Sequence, residues 1–143
     1  MPHLTLEIGA DGPMVDCLVG VSRARARILQ AQRQPVPPPA TIRGLIDTGA
    51  TRTCIESQVL KSLNLMAVDQ VSIFTSSTGD TPHVCGLFEA SLTFLHPKSE
   101  FRIASLPVIE AHLSGIQALI GRDVLEQCLL VYDGQSGHFS LAF

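Results

Sequence analysis

The chain has 143 residues, 45% of them apolar, and a formal net charge of −3, which suits one domain with a buried core. No apolar run approaches the roughly 18–20 residues of a membrane-spanning helix. The N-terminal MPHLTLEIGADG has neither the basic nor the apolar region of a secretory signal. A cytoplasmic protein with no membrane partner is therefore expected.

Cys17, Cys54, Cys85 and Cys128 are far apart, with no CxxC pair and no histidine at zinc-site spacing, so no metal and no cofactor is expected. Reduced, mostly buried thiols acting as small hydrophobes are the simpler reading. Between Asp16 and Asp47 lie five arginines (Arg23, Arg25, Arg27, Arg33, Arg43) and no carboxylate. With no interleaved aromatics and no nucleic-acid motif, this stretch reads as a solvated basic segment, and no nucleic-acid partner is expected.

In chain order, Leu4 to Ile8 alternates as a strand, followed by a Gly-Ala-Asp-Gly-Pro turn and a second strand from Met14 to Val21. Residues 22–40 break the pattern. The first part suits either a short helix or an ordered loop, and VPPPA then imposes extended geometry. This segment reads as an insertion within a single domain spanning 1–143, because too little chain precedes it to build a separate core. Thr41 to Asp47 resumes as a strand, Ser57 to Leu65 has helical spacing, and Val71 to Thr75 alternates again. Ser76 to Asp80 is turn chemistry and predicts a hairpin tip. Leu87–Leu95 and Phe101–Ile109 are further strands around a turn at His96–Glu100. Asp123–Cys128 reads as a short helix, and LLVYD with HFSLAF forms a closing hairpin. Many short strands at close spacing predict an all-β, closed barrel-like fold with one or two short helices.

Two segments stand out together. Leu45-Ile46-Asp47-Thr48-Gly49-Ala50 puts an acid at the end of an apolar strand, directly before a small hydroxyl residue and a glycine. Some 70 residues later, Ala118-Leu119-Ile120-Gly121-Arg122-Asp123 opens a short helix. The pair resembles the core motifs of retropepsin-like (retroviral-type) aspartic proteases, and the terminal helix and hairpin resemble the cellular and bacterial branch of that family. The resemblance covers roughly residues 41 to 143. It implies a retropepsin-like fold working as a symmetric homodimer, with a peptide or protein as substrate and Asp47 as the catalytic residue.

The chemistry is consistent with one such aspartate per chain. Hydrolysis without a metal or covalent nucleophile needs a base to activate water and an acid to protonate the leaving group. Two carboxylates about 3 Å apart repel by roughly 5 kcal/mol at an effective dielectric of about 20, so one keeps a proton; aspartic-protease dyads are the standard instance of this behaviour. Asp11 and Asp133 precede glycine without the hydroxyl residue, and Asp80 follows its glycine. The second carboxylate must come from a second copy across a two-fold axis.

The resemblance further implies that Thr48 hydrogen-bonds across the dimer and that Gly121 packs beside the active-site loop. Gly49, lacking a Cβ, allows close approach of substrate backbone. Ala50, where pepsin-like enzymes often carry Ser, implies a less acidic optimum. The hairpin around 75–86 matches the flap, with Ser77, Thr78 and Gly79 at its tip. Ile46, Leu119 and Ile120 are expected to build apolar substrate pockets. Thr51 and Arg52 depart from the acids common in viral enzymes, so the Arg-to-Asp pairing seen there has no counterpart for Arg122, and local hydrogen bonding is expected of Asp123. The insertion at 22–40 is expected at a dimer edge or over the cleft. The alternative to an endopeptidase is the same fold used as a peptide-binding or assembly module with little turnover.

Overall fold

Alternating segments form strands because a period of two puts one set of side chains on a buried face. A computed structural model describes residues 1–74 and 79–143. Among the described residues the order is β1 (His3–Glu7), β2 (Met14–Val21), α1 (Arg23–Ala31), β3 (Ala40–Ile46), β4 (Cys54–Glu56), α2 (Ser57–Ser62), β5 (Asp69–Ile73), β6 (His83–Leu95), β7 (Glu100–Ala111), β8 (Ala118–Ile120), α3 (Arg122–Leu125), β9 (Leu129–Asp133) and β10 (His138–Ala142).

Six strands close a barrel in the order β2-β3-β8-β4-β7-β6, with β6 returning to pair antiparallel with β2. β5 extends beyond the ring as a further partner of β6. Closure removes the free edges that an open sheet would present. A separate three-stranded sheet, β1-β10-β9, joins the two ends of the chain. This is the mainly β, closed barrel that the sequence implies, with three short helices among the described residues where one or two are expected.

The core lies inside the barrel. Val15, Cys17 and Val19 of β2 meet Ile42 of β3, Leu92 and Phe94 of β6, Val108 of β7 and Ile120 of β8. Leu60 and Leu63 seal it from the α2 side, and Phe139 and Leu141 from β10. Phe94 stacks on Phe101 at 5.4 Å, and Phe143 lies against both, so aromatic contacts tie the terminal sheet to the β6–β7 hairpin.

Several sequence expectations are refined. The segment after Ser22 is a helix: the buried Ser22 hydroxyl caps it by accepting from the Arg25 amide at 3.1 Å, and Leu29 anchors it inward. It borders a pocket of about 290 Å³ lined by Arg25, Ile28, Leu65, Met66 and Val68 among others. Residues 83–95 form one long strand, which begins four residues before the Leu87–Leu95 strand suggested by the sequence. Its first part pairs with β5 and its last part with β2 and β7, so one strand links the hairpin tip to the barrel. α2 stops at Ser62 and α3 spans only Arg122–Leu125, both shorter than their sequence patterns suggest. β4 and β8 have no counterpart in the sequence reading, since three residues complete barely one alternation. His96 makes the β6–β7 turn, its Nδ1 accepting from the Lys98 and Ser99 amides.

No helix among the described residues is long and apolar enough to cross a membrane. Cys17 and Cys85 are buried, Cys54 and Cys128 are half-buried, and all four are unpaired. Burial first, and Asp16 second, push the Cys17 thiol up to about 12. In the unfolded chain that thiol ionises near its ordinary value of 9.0. Stability should therefore be unaffected by this group below about pH 9 and should fall as pH rises toward 12, because only the unfolded state releases the proton. Urea titrations across that range check the sign. At pH 8, mass spectrometry after alkylation of the native protein should find Cys17 unlabelled.

Candidate active site

Asp47 is the first residue beyond β3. Its position is set by the parallel pairing of β3 with β8, in which Ile46 lies opposite Ile120 and the Asp47 amide donates to the Ile120 carbonyl at 3.0 Å. The chain then turns sharply, the Ala50 amide returning to the Asp47 carbonyl at 3.2 Å. Within that turn the Gly49 amide donates to Asp47 Oδ1 at 2.9 Å. A Cβ at Gly49 would lie 3.1 Å from the same oxygen, so glycine keeps the carboxylate unobstructed.

The loop from 47 to 53 has little regular structure, and the second motif holds it. Thr53, fully buried, donates its hydroxyl to Asp123 Oδ1 at 2.8 Å, while its amide donates to both Asp123 oxygens. The same hydroxyl accepts from the Gly121 amide at 3.0 Å. A Cβ at Gly121 would stand 2.6 Å from the backbone carbon of Arg52, so only glycine fits where the two segments cross. Arg122 completes the clasp. Its amide donates to the Ala50 carbonyl, Nη1 to the Thr48 carbonyl at 2.9 Å and Nη2 to Thr51 Oγ1 at 3.0 Å. Thus Gly121 packs beside the loop, Arg122 pairs with a carbonyl and a hydroxyl, and Asp123, expected to bond locally, accepts one bond from the Val124 amide but spends most of its capacity on Thr53, 70 residues away.

Above this loop opens a cleft of about 730 Å³. Asp47, Gly49, Ala50, Thr51 and Arg52 form one wall, and Val71, Ser72, Ile73 and Phe74 the other, with Cys54, Ile109 and Leu119 also lining it. β5 and β6 pair antiparallel from Asp69–Leu87 to Ile73–His83, so the second wall is one strand of an antiparallel pair. Gly79 adopts φ 58°, a turn conformation suited to glycine. Ser77 and Thr78, also placed at the flap tip, lie outside the described residues.

The apolar pocket expectation is corrected in part. Leu119 lines the cleft, whereas Ile46 and Ile120 are core residues, and Ile120 packs against the backbone of Gly44. Alternation along β8 sends neighbouring side chains to opposite faces, so 119 and 120 cannot share a pocket. Among the described residues none of 22–40 lines this cleft in the single chain, which leaves the dimer edge as the other placement expected of the insertion. Sequence reasoning missed Thr53 and Cys54. Thr53 sits six residues after the catalytic candidate with no local signal, since its partners are about 70 residues away. Cys54 has its thiol pushed up to about 11, by burial first and then by Cys85, Asp123 and Asp47, so at neutral pH it is a neutral cleft-lining group.

The retroviral aspartyl protease family model matches residues 9–131 of the chain. Among solved structures, a retropepsin-like aspartic protease from Rickettsia conorii aligns with a TM-score of 0.61 at 12% identity, covering 99% of this chain and 91% of that one. At that identity the likeness is one of fold. No curated protein matches the chain.

The clasp predicts a measurable cost. Thr53→Val keeps the shape but strips a donor from Asp123 and an acceptor from the Gly121 amide. Leaving those groups unsatisfied should cost about 1–3 kcal/mol and lower the melting temperature by about 3–10 °C. Calorimetry on the variant checks this, and an unchanged melting temperature would contradict it.

Proposed function

The chain belongs to the retroviral aspartyl protease family, and from that premise we propose that it is an aspartic endopeptidase whose active site is completed by two copies of Asp47 in a homodimer. The observation that carries the reading is the Asp47 carboxylate itself. It is oriented by the Gly49 amide at the wall of an open cleft whose other side is a hairpin arm.

Each chain contributes one aspartate in this setting, and an isologous interface would bring the second opposite the first. One carboxylate of the pair, ionised, removes a proton from water as it attacks the peptide carbonyl. The other, protonated, donates to the carbonyl oxygen, and proton return to the amide nitrogen lets the bond break. An extended peptide fits between loop and flap, adding strand-like hydrogen bonds.

Support for the dimer comes from the terminal sheet. β9 is an edge strand, and Leu129, Val131 and Tyr132 on it are 58%, 51% and 58% exposed. An exposed apolar edge is a surface that soluble proteins cover or pair, and a second copy supplies a matching edge.

Two experiments test the reading. Asp47→Asn should keep the melting temperature and the dimer mass while cleavage of a peptide library drops by about 10²–10⁴-fold or more; undiminished cleavage would overturn the assignment. Wild-type protein that binds peptides yet cleaves none from acidic to neutral pH would instead be a peptide-binding module. Replacing Leu129 and Val131 together by Lys should shift the protein to monomers in sedimentation experiments and abolish cleavage in parallel. Activity retained by monomers would exclude a shared dyad.

A further inference from the structure

Two arginines stand at the loop from 47 to 53, Arg52 within it and Arg122 behind it, and their surroundings differ. Arg122 is committed to the Thr48 carbonyl and the Thr51 hydroxyl. Arg52 lines the cleft and is exposed, and among the described residues the ion pair is between Arg43 and Asp16, not at Arg52. Its backbone is nevertheless tightly held. Gly121 packs directly on its carbonyl group, and the next residue, Thr53, is bound three ways to Asp123. The guanidinium therefore extends from a fixed point, so little ordering of the chain is needed when it meets a ligand.

The rest of the cleft lining combines apolar side chains, the neutral polar Thr51 and Ser72, and the Asp47 carboxylate. Val71, Ile73, Phe74 and Leu119 supply apolar surface, and the charged lining residues are Asp47 and Arg52. With Asp47 alone, such a cleft would repel an acidic side chain and favour a basic one. Arg52 reverses this locally. A guanidinium forms paired hydrogen bonds to a carboxylate, so the fit of the two forks adds geometric selectivity to the attraction of charge.

We propose that Arg52 is a specificity-determining residue that selects peptides carrying Asp or Glu within a few residues of the scissile bond, among otherwise apolar side chains. This rests on the endopeptidase reading above. Because an extended peptide alternates its side chains between two sides, the acidic residue would occupy the Arg52 side with apolar neighbours turned to the opposite wall. In a symmetric dimer two copies of Arg52 flank the dyad, so the preference should appear on both sides of the cut.

The test uses a peptide cleaved by the wild-type protein from a random library, resynthesised with Glu, Gln or Lys at each position near the cut. At the positions read by Arg52, kcat/KM should favour Glu over Gln by about tenfold or more, as for a charge-assisted pair. Arg52→Gln should bring that ratio near one, Arg52→Lys should keep part of it, and Arg52→Glu should favour Lys instead. Circular dichroism checks that the variants are folded, and the Lys variant provides a readout if the others are not. No Glu preference in the wild type, or one that survives Arg52→Glu, would overturn the proposal while leaving the endopeptidase reading intact. Fluorescence anisotropy with Asp47→Asn protein separates the reverse case. If the wild type cleaves no library peptide, an acidic apolar peptide that binds more tightly than its Gln counterpart, and only with Arg52 present, sustains the selectivity while the endopeptidase reading fails. Absence of both cleavage and discriminating binding overturns both.

Discussion

The bond set joining Thr53, Gly121 and Asp123 is the constraint on which the site depends. The segment from 47 to 53 must hold a carboxylate still while remaining open to the cleft, so it cannot gain rigidity by burying itself. It gains it from behind. One buried hydroxyl both donates to Asp123 and accepts from the Gly121 amide, and the absence of a side chain at 121 lets the two backbones touch. A buried threonine with every polar group satisfied avoids the desolvation penalty that an unpartnered one would carry.

That clasp exists only because of the barrel. β3 and β8 run parallel and adjacent, which places the end of one beside the end of the other, so residues 47 and 121 emerge at the same rim. β4, directly after the loop, then inserts between β8 and β7. The loop is thus bounded by two strands anchored on either side of the second motif. Short parallel strands are weak on their own, but here they sit within a closed ring whose core spans both. The cleft forms where the ring ends and β5 and β6 project beyond it. Its two walls consequently have different characters, a clasped loop carrying the charges and a two-stranded arm supplying apolar surface.

Charge is distributed unevenly across the molecule, and the two basic features have different settings. The arginines of α1 lie on a helix that contributes no residue to the cleft lining, and Arg25 borders a separate pocket. Arg122 is part of the clasp, and Arg52 is the one arginine that lines the cleft with Asp47. In the proposed dimer each of these would occur twice about the symmetry axis.

Most strands could be read from the sequence because alternation is a local property: β2, β3, β7 and the terminal hairpin lie close to where the period-two runs place them. Asp47, Gly49 and Gly121 were picked out for a different reason, since they stand in the two segments, Leu45–Ala50 and Ala118–Asp123, that resemble the family's core motifs. Other features were decided only by the tertiary structure. β4 and β8 are too short to show a period and form because neighbouring strands offer them unpaired backbone groups. Alternation along β8 says that Leu119 and Ile120 face opposite ways but not which one meets the core, and closure of the barrel settles that in favour of Ile120. Thr53 carries no local signal at all, because its partners lie about 70 residues away and become neighbours only once β3 and β8 pair.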